Sequence, residues 1–287
     1  MQPEASPELP APAAARHELG TYLRAQRVRR RINIARAAAH VGIAPGTLSR
    51  IETAYAPIRT AYLYLLLDLY RITDDTRRRE LADLARQGQC QPYWAEHDDL
   101  IPEGTAHYLA LEASAAVIRT YAPQLIPDQL MTAGYAVVAA RATRPDLGRR
   151  REDKVAALAR ARCDQITRSQ CRVHALINMS ALHRITDPAD VAAQQFSHLC
   201  EVAANPAITI RLIPDRNPPL VISPPFTLLT LPGQPHDAGC CHGPAGQVTV
   251  TRRVAATRAM NATWEELVRD ALTAEVSAGF LAELAET

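Results

Sequence analysis

At 287 residues, 47% of them hydrophobic and 22% charged, the chain is long enough for two domains and apolar enough to fill a core in each, which excludes a wholly disordered protein. No apolar run approaches the roughly 18 residues that cross a bilayer, and the N-terminus carries neither a basic start nor a continuous apolar stretch, so a membrane protein and a secreted one are both set aside. The formal charge of +2 is small but unevenly placed: residues 16–59 hold nine arginines against Glu18 and Glu52, about +7 net, whereas the last thirty-three residues hold Arg258 and Arg269 against six acids.

A cationic block the size of one domain points to a polyanionic partner, with a solvated arginine-rich face as the plainer alternative. The single lysine, Lys154, among 32 basic residues reflects genomic composition rather than function. Six cysteines without an export signal predict reduced thiols and a cytoplasmic location.

Taken in chain order, residues 1–16 read as a disordered Pro/Ala tail. Residues 17–31 predict a helix with Leu19, Tyr22 and Leu23 inward. Two short helices follow around Gly42. A long apolar helix covers about 59–72, with Leu63, Leu66, Leu67 and Tyr70 on one face. Asp74 and Asp75 cap a further helix at 76–87. Periodicity breaks at 87–94, and residues 89–104 read as a linker between a domain at 17–88 and a second at 105–287. In that second domain helices are predicted at 103–116, 127–142, 147–168 and 188–203, with one long amphipathic helix at 262–284. Strand patterns occur at 171–178, 207–213 and 226–231, and weaker ones at 238–242 and 247–250. The expected fold is mainly α: an N-terminal five-helix domain, then an α+β domain with a small sheet. No repeat suggests a solenoid.

The most specific pattern is IARAAAHVGIAPGTLSRIET (34–53), which fits a helix-turn-helix. Two short helices crossing steeply need a small residue at the crossing, and Ala38 supplies it. They need a glycine at the corner, where a positive φ is cheap without a Cβ, and Gly42 supplies that. Ala37, Val41, Ile43, Leu48 and Ile51 fall at the apolar offsets. Pro45 suits the first turn of the second helix, whose amide has no partner anyway. The second helix, 45–53, is expected in a DNA major groove with Pro45, Gly46, Thr47, Ser49 and Arg50 on its leading edge. Arg50 has the geometry for a bidentate pair with guanine or a phosphate, or for an ion pair with Glu52. Thr47 and Ser49 bond bases or phosphates, or serve packing and capping. Arg24, Arg27, Arg31 and Arg36 are expected to meet phosphates without reading sequence.

These residues carry a resemblance. The stretch from LGTYLRAQR through TLSRIE to LLLDLYRI resembles the five-helix domain of Xre-type regulators, related to the phage repressors. Past the linker, Leu111, Glu112, Ala113, Ile118, Arg119, Tyr121, Pro123, Leu125, Pro127, Leu130 and Tyr135 resemble the opening of the C-terminal domain of a large actinobacterial regulator family. ITIRLIP (208–214), PFTLL (225–229) and the terminal helix fit it too. The resemblance implies a lambda-repressor-like DNA-binding fold, transcription control of development or secondary metabolism, a homodimer, and a small partner protein. The chain departs from the family pattern in three places. Ile34 and Ala35 stand where a glutamine usually opens the motif. Ala44 replaces the Ser/Thr cap of the second helix. Pro127, Asp128 and Gln129 replace proline-glycine-leucine.

Other chemistry fits poorly. Cys240-Cys241-His242 places adjacent thiols on opposite faces of a strand, where they cannot share one zinc ion, so no metal site is expected. Cys163, Cys171, His174 and His183 lack ligand spacing. No phosphate-binding glycine loop and no GxSxG elbow occurs, and the carboxylate pairs Asp98-Asp99 and Glu265-Glu266 diverge on helices. The reading is a DNA-binding transcription regulator, without enzymatic activity or cofactor, acting on double-stranded DNA as a homodimer. The alternative is an antitoxin-like interaction module that covers a small partner protein, with DNA contact secondary.

Overall fold

The computed structural model describes residues 12–286 apart from residue 55 and residues 90–92, 103–104, 145–146, 170, 185–186, 216–221, 233 and 244–245. It is mostly helical and divides into two compact units, Met1–Pro92 with Leu109–Ser114, and Tyr93–Tyr108 with Ala115–Thr287. Most of the tail expected at 1–16 lies outside the described residues.

The first unit is built on α1 (Pro12–Arg29), α2 (Ile34–Val41), α3 (Pro45–Glu52), α4 (Thr60–Leu69) and α5 (Asp75–Gln87). Leu19 and Leu23 of α1, Val41 of α2, Leu48 and Ile51 of α3, Leu66 and Leu67 of α4, and Leu81 of α5 close one core at helical spacing. Short polar caps start two of these helices: Asn33 accepts from the Arg36 amide at 2.8 Å and Asp74 from the Arg77 amide at 2.7 Å. Helix α1 begins earlier than the predicted start at 17, so residues 12–16 are helix and not tail. The reason is packing: Ala15 is fully buried, and Arg16 donates its Nε to the Gly88 carbonyl at the end of α5, 2.6 Å away.

The second unit carries a six-stranded mixed sheet in the order β3-β2-β1-β4-β5-β6. The strands are β1 (Val117–Ala122), β2 (Arg172–Asn178), β3 (Ile208–Ile213), β4 (Phe226–Thr230), β5 (Ala238–His242) and β6 (Val248–Thr251). β1, β2 and β3 are parallel, while β4, β5 and β6 continue antiparallel from β1. Helix α6 (Thr105–Glu112) precedes β1 and is cut by the division between the units. The crossover from β1 to β2 runs through α7 (Ala133–Thr143) and α8 (Arg149–Arg168), and that from β2 to β3 through α9 (Met179–Leu182) and α10 (Ala189–Ala203). The buried runs in β1 and β2 fit strands covered on both faces.

Three expectations are corrected here. The helix predicted at 103–116 stops at Glu112, and the central strand β1 was not anticipated, because Arg119 and Thr120 interrupt its apolar run. The helix predicted at 127–142 begins instead as a 3₁₀ turn at Asp128–Leu130, and Thr132 then caps α7. The terminal helix is two, α11 (Val254–Asp270) and α12 (Ala274–Ala285). The break has a clear cause. Arg211 of β3 donates to the carbonyls of Leu272, Val268 and Ala271 at 2.6, 2.9 and 2.7 Å, and Thr273 restarts the helix as its cap. The same junction covers the open edge of β3. The Leu272 amide bonds to the Leu212 carbonyl at 2.8 Å, and the Leu212 amide donates to Ser277 Oγ at 2.9 Å.

Candidate nucleic-acid interface

Helices α2 and α3 meet at Gly42, whose φ of 76° is the left-handed corner a side chain would oppose. The Ile43 amide returns to the Ala38 carbonyl at 3.0 Å, which closes the end of α2. Ala37 and Ala38 are fully buried, so the helices approach closely. Helix α3 then presents two faces. Leu48 and Ile51 are buried, whereas Pro45, Gly46, Thr47, Ser49 and Arg50 are exposed along one edge. Pro45 occupies the first turn, and Ala44 gives no side-chain cap, so the Thr47 and Leu48 amides both turn back to the Ala44 carbonyl, at 2.9 and 3.2 Å. Gly46 has no steric reason to be glycine, because a Cβ there would meet nothing within 4 Å.

Among the predicted phosphate contacts, Arg24, Arg31 and Arg36 are exposed. Arg36 stands in the first turn of α2, its amide held by Asn33. Arg31 follows α1 at a φ of 55°. Arg27 is different, because it is engaged inside the domain. Its Nε and Nη2 donate to the two carboxylate oxygens of Glu52 at 2.6 and 2.7 Å, its Nη1 reaches the Ile32 carbonyl at 3.0 Å, and its side chain is 13% exposed. The hydrogen bonds it donates to Glu52 hold the guanidinium above its ordinary pKa despite burial. Arg16 is buried as well. Two of the nine arginines of the basic block are therefore internal, and Glu52 is withdrawn with them, so the outward charge stays strongly positive.

Two contacts that position the interface were not anticipated: the sequence offered Glu52 only as a partner for Arg50, and it did not single out Gly20. Glu52, the last residue of α3, ties that helix to α1 through Arg27. Gly20 lets α1 pass the end of α3, because a Cβ there would come within 2.5 Å of the Ile51 carbonyl oxygen. A glycine inside an otherwise amphipathic helix was the available signal. Nearby, burial together with the Glu52 charge pushes the Tyr70 hydroxyl above its usual pKa, and that hydroxyl has no hydrogen-bond partner among the described residues.

No helix among the described residues is long and apolar enough to cross a membrane. Residues 18–81 match the model of a helix-turn-helix domain, and residues 105–283 match that of a domain of unknown function, DUF5753. No curated protein and no solved structure matches the chain. With its exposed α3 edge built on a matched helix-turn-helix domain, and with the longer match spanning most of the chain, the protein belongs to the DUF5753 family.

Proposed function

We propose that the protein is a cytoplasmic, sequence-specific transcription regulator of the Xre type, with α3 as its recognition helix. The observation that carries the reading is the split of α3, buried at Leu48 and Ile51 and open at Thr47, Ser49 and Arg50. Thr47, Ser49 and Arg50 are the residues for base edges, with Pro45 and Gly46 at the close-approach end. Arg24, Arg31 and Arg36 neutralise phosphates beside them. A homodimer held by the second unit sets two such helices into successive major grooves about 34–36 Å apart, on a pseudo-palindromic site.

Binding of the full chain to genomic fragments, measured across a salt series, tests this. The expected result is a steep salt dependence that loses about one unit of slope for each of Arg24→Gln, Arg31→Gln and Arg36→Gln. Arg50→Ala with Ser49→Ala is expected to erase the preference among fragments. Salt-insensitive binding, or an unchanged preference, overturns the reading.

A second reading, the interaction module, draws on α12, where Val276 and Phe280 are exposed one turn apart. It predicts that a small protein co-purifies with the chain in fixed ratio and is released by Phe280→Glu. Purification of the chain alone from its native cells counts against it.

A further inference from the structure

The second unit contains a cavity of about 590 Å³. It opens at the end of the sheet where β1 runs out, β4 begins beside Pro225, and β5 ends at His242. Its walls are mostly apolar, with Leu100, Leu125, Met131, Ala140, Val155 and Leu158 among them. Well-packed interiors leave few voids larger than a water molecule, so a space of this size needs an account other than imperfect packing. It lies within the range of small-molecule pockets, outside the carboxyl end of a parallel strand, where α/β sheets commonly hold ligands.

A polar cluster stands at one side, with Asp128, Gln129, Arg162 and His242 on the wall and the buried Tyr108 and Thr227 bonded to them. Arg162 donates its Nη1 to Asp128 Oδ2 at 2.8 Å and its Nη2 to the Tyr108 hydroxyl at 3.1 Å. Gln129 donates to the same hydroxyl at 2.7 Å. Tyr108 meets the His242 ring edge to face at 5.4 Å, and His242 Nε2 lies 2.8 Å from Thr227 Oγ1. The two partners of the ion pair are unequally exposed. The Arg162 side chain is 9% exposed and that of Asp128 is 52%. Both residues line the cavity, the carboxylate being the more exposed of the two, and Asp128 Oδ1 has no hydrogen-bond partner among the described residues. Enclosure works to raise the Asp128 pKa, but Arg162 and His242 outweigh it and hold the carboxyl below its ordinary range, so it is an acceptor at neutral pH.

We propose that this cavity binds a mainly apolar small organic molecule with a hydroxyl or amino group, which donates to Asp128 Oδ1. The walls take the apolar body and contribute most of the affinity by burial, while the polar cluster fixes the head group. The Asp128 carboxylate on the wall disfavours an anionic head, since Arg162 beside it is already paired with that carboxylate; Arg144, also on the wall, is the cation that the decanoate probe below tests. The site is independent of the DNA-binding reading and stands or falls separately from it.

The test uses the full chain with three probes of equal length, 1-decanol, decylamine and decanoate, each below its micelle concentration, by calorimetry and thermal shift. The expected result is saturable binding of the alcohol and the amine, with decanoate weaker by about tenfold or more, ~1.4 kcal/mol. Asp128→Asn is expected to narrow that gap at least about threefold while leaving the alcohol bound. Ala140→Phe, which fills the cavity from α7, is expected to remove binding of all three, with circular dichroism confirming that the variant is folded. No saturable binding by the native chain, decanoate binding as well as decylamine, or an unchanged head-group gap in Asp128→Asn overturns the proposal. The Asp128→Asn comparison remains decisive if Ala140→Phe does not fold.

Discussion

Arg27 and Glu52, 25 residues apart, join α1 to the last turn of the proposed recognition helix by two parallel hydrogen bonds of 2.6 and 2.7 Å. With side-chain exposures of 13% and 3%, the pair is largely removed from water. Breaking such a pair leaves a charge without compensation, whereas replacing both partners removes the problem. Glu52→Ala is expected to lower unfolding stability by about 3 kcal/mol, and Arg27→Met with Glu52→Leu to recover most of that loss. Urea unfolding of the three proteins decides it. Equal stability of the single and double variants would mean that the pair contributes no coupling.

Gly20 fixes the same helix from another side. A Cβ at that position meets the backbone carbonyls of Ile51 and Glu52 at 2.5 and 3.0 Å, and backbone cannot swing aside as a side chain can. Gly20→Ala, which ordinarily favours a helix, is therefore expected to destabilise the chain by about 1–3 kcal/mol. A rise in melting temperature in this variant would contradict the close approach of α1 to α3.

The helix-turn-helix was legible because its constraints are local. A small residue, a glycine corner and five apolar offsets lie within twenty residues, and each of those positions is set by neighbours in sequence. The Arg27–Glu52 pair was not legible for the opposite reason: a basic residue on a helix looks the same whether it faces water or a carboxylate on another helix. The cavity was invisible on similar grounds, since Tyr108, Asp128, Arg162 and His242 converge only once the sheet has formed. One trace of it was in view. Asp128 and Gln129, the departure from the proline-glycine-leucine pattern, are the residues that bring a carboxylate and an amide to its polar side. The strand β1 and the break between α11 and α12 were missed because sheet pairing and the long-range grip of Arg211 override local periodicity.

Gly46 separates stability from binding. Glycine in a helix costs about 0.5–1 kcal/mol relative to alanine, and the open space around it shows that the fold does not require that cost. Close approach of a nucleic-acid backbone would require it. Gly46→Ala is expected to raise unfolding stability by about 0.5 kcal/mol and to weaken binding to a specific fragment several-fold. A variant that is more stable and binds as well as the native chain would remove Gly46 from the interface.

Arg211 joins the sheet to the end of α11 and to the turn that leads into α12. Its guanidinium satisfies three carbonyls at the C-terminal end of α11, where the helix dipole also favours a cation. Arg211→Met keeps much of the stem but leaves those carbonyls unpaired, at an expected loss of about 2 kcal/mol. Hydrogen exchange should show that loss first at the Leu212 and Leu272 amides. Faster exchange confined to other regions would locate the contribution of Arg211 elsewhere.

Acid sensitivity should appear well above the range where carboxylates titrate. His107, His174 and His198 are half-buried, and burial lowers the pKa of each. Arg252 adds to the effect at His107, as do Arg172 and Arg119 at His174, while Glu201 opposes it at His198. In the unfolded chain these imidazoles accept protons near pH 6.5, before their folded counterparts do. Their contribution is complete above about pH 6.5 and is lost as pH falls through the lower folded values. Urea unfolding at pH 7.5, 6.5 and 5.5 is expected to show a progressive decline, and His107→Gln, His174→Gln and His198→Gln combined to flatten it. A native profile that is level between pH 7.5 and 5.5 would show that these rings are as easily protonated in the fold as outside it.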